Sequence, residues 1–149
     1  MKTAEDIVKA VADAVDSPAS RDVVLKFAVQ ILKEERKVYD WCGIYLLEGD
    51  MLVLHNYIGK HTDHTHIPIG KGVCGAAVAQ QANQIVADVT KLDNYLACSI
   101  ETRAEIVVLI RRGTEIFGQI DIDSDIENAF TSQDEELLTS VCDQLARRF

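Results

Sequence analysis

No stretch of this 149-residue sequence holds the roughly 20 consecutive apolar residues that a membrane helix needs. The segment from Met1 to Val15 is charged and amphipathic, without the apolar core or small-residue cleavage site of a secretory leader. A cytoplasmic protein with no membrane partner is therefore expected. Basic residues are scarce: 15 Lys and Arg stand against 24 Asp and Glu, a formal net charge of −9. That balance speaks against nucleic acid and anionic lipid, both of which need basic patches. The four cysteines, Cys42, Cys74, Cys98 and Cys142, include no CxxC pair, so no structural zinc site and no bound metal are expected. In a cytosolic chain they rest as thiols. Gly70-Lys71-Gly72 is too short for a phosphate loop and lacks its Ser or Thr. There is no repeat and no linker, which leaves one domain over residues 1–149.

What is present is core-forming material, at 48% hydrophobic residues. Ile7, Ala10, Val11 and Val15 recur at helical spacing until Ser17-Pro18 breaks the pattern. Ser20 caps a second helix, whose apolar face is read as Val23, Val24, Phe27, Ala28 and Ile31, ending near Lys33 to Lys37. Residues 41–47 and 51–57 read as a hairpin around Glu48-Gly49-Asp50. Residues 61–66 read as polar and irregular, 73–81 as a short Ala-rich helix, 84–86 as a brief strand and 88–96 as an irregular excursion. Residues 105–111 and 116–123 form the strongest hairpin signal, hinged near Gly113. Thr131 or Ser132 caps a last helix with Leu137, Leu138, Val141 and Leu145 on one face. The fold class is α/β of the α+β kind, with the terminal helices covering one face of an antiparallel sheet.

The residues at 119–124, QIDIDS, put two aspartates in a strand, where aspartate is depleted. Successive strand side chains alternate in direction, so Asp121 and Asp123 share one face while Ile120 and Ile122 fill the other. If the hairpin loop has an odd number of residues, such as Gly113-Thr114-Glu115, Glu105 opposes Asp123 and three carboxylates crowd together. Such a cluster needs a cation, a shared proton or a metal. An even loop removes Glu105 from the face, and a solvated sheet face is the other reading of these acids.

Cys74 opens the short helix, where the helix N-terminus favours a thiolate; a small buried residue at a tight turn is the competing reading. Cys98 lies in a predicted loop, where cysteines are more often reactive. Cys42 and Cys142 have apolar neighbours and read as core. Trp41 is the one tryptophan, and Tyr45, four residues on, shares its strand face. His64 and His66 could share a face and bind a metal, although short His-rich loops are usually solvated.

In order along the chain, Trp41 with Gly43 and Tyr45, IPIGKGVCG at 67–75, LAC at 96–98, EIVV at 105–108 and DIDS at 121–124 resemble the free methionine-(R)-sulfoxide reductases, a branch of the GAF domains. The resemblance spans roughly residues 25–148. It implies a central antiparallel sheet of about six strands and, in many members, a homodimer. It implies Cys98 as the nucleophile, and Glu105, Asp121 and Asp123 as the acids that hold the substrate ammonium and assist at the sulfoxide. Trp41 and Tyr45 correspond to the aromatic wall. The implied substrate is free methionine sulfoxide, with no bound cofactor and an external thioredoxin-like reductant. One position departs. The family's usual resolving cysteine, ten residues before Cys74, is His64 here. Cys74 is left to resolve Cys98, or an external thiol does so. Alternatively the chain is a non-catalytic GAF sensor that keeps only the pocket.

Overall fold

The computed structural model describes residues 1–93 and 100–149. Helix α1 (Ala4–Asp16) begins in a capping box between Thr3 and Asp6, and helix α2 (Arg21–Glu35) begins at Ser20, whose side chain accepts from the Val23 N–H. Each cap satisfies an amide that the first turn leaves without a partner. Strands β1 (Trp41–Glu48) and β2 (Met51–Ile58) form the first hairpin. A three-residue strand β3 (His66–Pro68) follows, then helix α3 (Gly72–Gln80), strand β4 (Gln84–Val86) and one 3-10 turn at Val89–Lys91. Strands β5 (Ala104–Arg112) and β6 (Glu115–Ser124) make the second hairpin. Helix α4 (Ser132–Ala146) is capped by Thr131 with Asp134 closing the box.

The six strands form one antiparallel sheet in the order β3-β2-β1-β6-β5-β4. Its two central strands are the first and the last in the chain. On one face, Cys42 and Ile44 of β1, Ile106, Val108 and Ile110 of β5, and Ile120 and Ile122 of β6 pack against α2 and α4. Helix α1 buries Ile7, Val11 and Val15 against α2 and α4. Each fully buried aliphatic side chain stabilises the fold by about 1.5–3 kcal/mol. The terminal helices thus cover one face as expected. The chain then crosses the opposite face between β3 at one edge and β4 at the other, and α3 lies there against β5 and β3.

Three local expectations are corrected. Val23 is exposed, because the face of α2 that meets the sheet runs through Val24, Leu25, Ala28, Val29, Ile31 and Leu32. His66 is the first residue of β3 and not part of an irregular segment; at three residues this edge strand is too short to show periodicity, and its Pro68 lacks an amide to donate. The β5–β6 turn has two residues, Gly113 and Thr114, with Arg112 opposite Glu115, so the odd loop does not exist. The odd residue is supplied within β6. Ile110 pairs with Gly118 and Arg111 with Ile116, which leaves Phe117 as a bulge. That bulge shifts the register by one, and Glu105 opposes Asp123 after all. Among the described residues, no helix is long and apolar enough to cross a membrane.

Candidate active site

The sheet face beneath α3 carries a grid of side chains. Asp123, Asp121 and Gln119 alternate along β6; Trp41, Gly43 and Tyr45 oppose them from β1, and Glu105, Val107 and Leu109 from β5. Directly paired residues project from the same face. The three acids therefore meet, and they are 4%, 1% and 2% exposed for Glu105, Asp121 and Asp123. A solvated acidic face is excluded. A carboxylate oxygen of Asp121 and one of Glu105 lie within 4.8 Å of each other, so each charge disfavours the other.

Helix α3 lowers Cys74 onto this face. Gly75 lets the helix start approach the preceding turn: a Cβ there would lie 2.5 Å from the Pro68 carbonyl oxygen and 2.9 Å from the Gly70 nitrogen. The Gly70 N–H donates to the Gly75 carbonyl at 2.8 Å. The Cys74 thiol then donates to Glu105 Oε2 at 3.8 Å. A small cavity is lined by Tyr45, His64, Lys71, Cys74, Glu105 and Asp121, among others. Beside it the indole of Trp41 lies over Gly43, stacks on Tyr57 at 5.2 Å between centroids, and donates from Nε1 to the Lys60 carbonyl at 3.1 Å. The Tyr45 hydroxyl donates to the His64 carbonyl at 2.7 Å and so ties the 61–66 segment to the cavity wall.

The GAF domain family model matches residues 20–149. Over 117 residues, 78% of this chain and 70% of that protein, the sequence is 39% identical to the free methionine-R-sulfoxide reductase of Escherichia coli. The type II free methionine-R-sulfoxide reductase of Thermoplasma acidophilum superposes with a TM-score of 0.82 at 41% identity, covering 85% of this chain and 89% of that one. This chain belongs to the free methionine-R-sulfoxide reductase family of GAF domains. The Neisseria meningitidis enzyme, solved in complex with its substrate, superposes with a TM-score of 0.91 at 30% identity over 98% of this chain and 87% of that one.

In this GAF domain, burial does most to raise the Asp121 carboxyl above its ordinary range. Burial, followed by the Asp121 and Glu105 charges, pushes the Cys74 thiol well above the usual cysteine range. Of the two readings of Cys74, the fold favours the small buried residue at a tight turn over a thiolate held by the N-terminus of α3. Cys74 is a protonated, buried thiol, because desolvation and two carboxylates outweigh the dipole of a nine-residue helix. Cys42 and Cys142 are buried, as expected of core residues, and their thiols are likewise raised by burial.

Of the residues singled out in the sequence, Tyr45, Cys74, Glu105 and Asp121 line the cavity. Asp123 sits between Trp41 and Glu105 in the sheet, and Trp41 packs over the adjoining glycine. Cys98 lies outside the described residues. His64 and His66 part company: His64 lines the cavity and His66 is exposed on β3. Two features of the site and its sheet face went unforeseen. Lys71 stands at the mouth, and its motif had been read only for phosphate. Gln119 is fully buried on the acid face, and neither of its amide atoms has a hydrogen-bond partner among the described residues. The parity of QIDIDS placed it there, but a glutamine beside two aspartates gave no signal of its own.

Proposed function

We propose that this chain, an oxidoreductase by family, reduces free L-methionine-(R)-sulfoxide to methionine. The observation that carries the reading is the buried set of carboxylates, Glu105, Asp121 and Asp123, gathered on one sheet face beside an aromatic wall. Buried carboxylates favour a ligand with a positive charge. A free amino acid has an ammonium group, which a methionine within a protein chain lacks. The pocket would therefore select the free form by charge.

In the proposed reaction the Cys98 thiolate attacks the sulfoxide sulfur while Glu105 or Asp123 protonates its oxygen. The oxygen passes to Cys98 as a sulfenic acid, and methionine leaves with the sulfur reduced. The Cys74 thiol then attacks the sulfenic sulfur. Glu105, 3.8 Å from the Cys74 sulfur, takes the thiol proton and passes it to the departing sulfenic hydroxyl, so that an S–S bond forms and water leaves. A thioredoxin-like dithiol reduces the disulfide and closes the cycle. With His64 at the position of the usual resolving cysteine, Cys74 is the thiol available for this step.

The test is turnover of both sulfoxide epimers with excess dithiothreitol. The R epimer should be converted, and Cys98→Ser should abolish the conversion. Peptide mapping after one turnover should find a Cys74–Cys98 disulfide; a persistent sulfenic acid on Cys98 would eliminate Cys74 as its partner. The observation that favours a second reading, a ligand-binding sensor without turnover, is the histidine at position 64. Equal inertness of wild type and Cys98→Ser, with both binding the sulfoxide, would establish that sensor.

A further inference from the structure

The cavity holds a donor set that neither the family resemblance nor the absence of CxxC pairs suggests. Cys74 Sγ, a carboxylate oxygen of Glu105 and one of Asp121 all lie within 4.8 Å of one another, and all three residues are buried. A thiol with two carboxylates is the ligand chemistry of a borderline-soft divalent cation. A second observation points the same way. Asp121 lines the cavity at 1% exposure, yet its Oδ1 has no hydrogen-bond partner among the described residues. A buried carboxylate oxygen left without a partner is unfavourable, so a cation that filled its lone pairs would be well received. Gln119, one pleat along the same face, carries an amide whose oxygen and nitrogen also have no partner among the described residues.

We propose that Cys74, Glu105 and Asp121 form a binding site for a divalent cation of the zinc class. Ligation displaces the thiol proton to solvent and leaves the sulfur as a metal-bound thiolate. The site is distinct from the exposed His61 and His66, of which His61 pairs with Asp63 at 2.9 Å. If the reductase reading holds, the cation and the ammonium of the amino acid compete for the same two acids. Zinc would then inhibit competitively with respect to methionine sulfoxide, and it would also mask the resolving thiol. The competition rests on that reading; the binding does not.

The probe is the metal alone. Zinc chloride is titrated calorimetrically into the full chain carrying Cys98→Ser, kept reduced with a phosphine and freed of metal beforehand with EDTA. One equivalent should bind. Cys74→Ser and Asp121→Asn should each weaken the affinity at least about 100-fold, the upper end of what losing a mere outer-sphere partner costs. The double variant His61→Ala/His66→Ala should bind as tightly as its parent. Cadmium provides a measurement that does not depend on these variants folding well. One equivalent should produce a thiolate-to-metal charge-transfer band in the ultraviolet in the Cys98→Ser protein, and the band should vanish with Cys74→Ser. Absence of the band, or zinc affinity unchanged by Asp121→Asn in a protein of unaltered circular dichroism, would overturn the proposal. A protein that reduces the sulfoxide yet binds no cadmium refutes the cation site alone. One that binds cadmium without turnover refutes the reductase reading alone.

Discussion

Gly43→Ala is the smallest change that should disturb the aromatic wall. Gly43 opposes Asp121 across β1 and β6, and the Trp41 indole occupies the space a side chain would need. A methyl group at that position would lie 2.5 Å from Trp41 Cη2, 2.7 Å from Cζ3 and 3.0 Å from Tyr57 Cβ. Neither neighbour can yield cheaply. Trp41 is 4% exposed, stacked on Tyr57, and hydrogen-bonded through Nε1 to the Lys60 carbonyl. Overpacking of this kind costs about 1–3 kcal/mol. If the indole swings away, losing its hydrogen bond adds about 1 kcal/mol. A total near 2–4 kcal/mol corresponds to a Tm lower by roughly 5–15 °C for a chain of this length. Trp41 is the one tryptophan, so its fluorescence reports the site directly. The expected result is a lower Tm, together with red-shifted or altered emission in the folded state. Unchanged Tm and unchanged emission would refute the claim that Gly43 exists to seat the indole.

Three further outcomes follow from the same geometry. Asp121→Asn keeps the shape of a buried carboxyl while removing one charge from a crowded set, so the ligand-free protein in EDTA should be about 1–3 kcal/mol more stable in chemical denaturation while its affinity for methionine sulfoxide falls; a loss of stability would show that the charge is compensated. Tyr39→Phe removes the hydroxyl that donates to Asp134 Oδ1 at 2.5 Å and joins the entry to β1 with the capping box of α4, and should cost about 1.5–3 kcal/mol by urea unfolding. In the folded protein near neutral pH, iodoacetamide should label Cys42, Cys74 and Cys142 far more slowly than in denaturant, because burial raises all three thiols; rapid labelling of Cys74 in the native state would contradict its protonated, enclosed setting.

Much of the scaffold is written in local patterns. The α2 and α4 helices announce themselves through caps at Ser20 and Thr131, all of α1, α2 and α4 through periodic apolar positions, and both hairpins through their turns. The acid face is equally local in part: a period of two puts Asp121 and Asp123 together whatever their partner strand. The element missed, β3, is three residues long, and no period can be read from three residues.

What local pattern cannot carry is the relation between distant strands. Glu105 opposes Asp123 because a bulge at Phe117 shifts the register by one residue, and nothing in the composition of GTEIFG marks that bulge. Burial is likewise a collective property. The three acids are carboxylates in any conformation, but the chain crossing from β3 to β4 and the seating of α3 on that face take them out of water. The same packing decides between the two readings of Cys74. Its place at a helix start is a fact of sequence and argues for a thiolate; its contact with Glu105 and Asp121 arises only once the sheet has assembled, and desolvation then outweighs the dipole. Residue type and spacing thus specified the elements and the chemical groups available. Long-range pairing decided which groups meet and in what dielectric, because charge interactions depend on distance and solvent access, and one-dimensional order encodes neither.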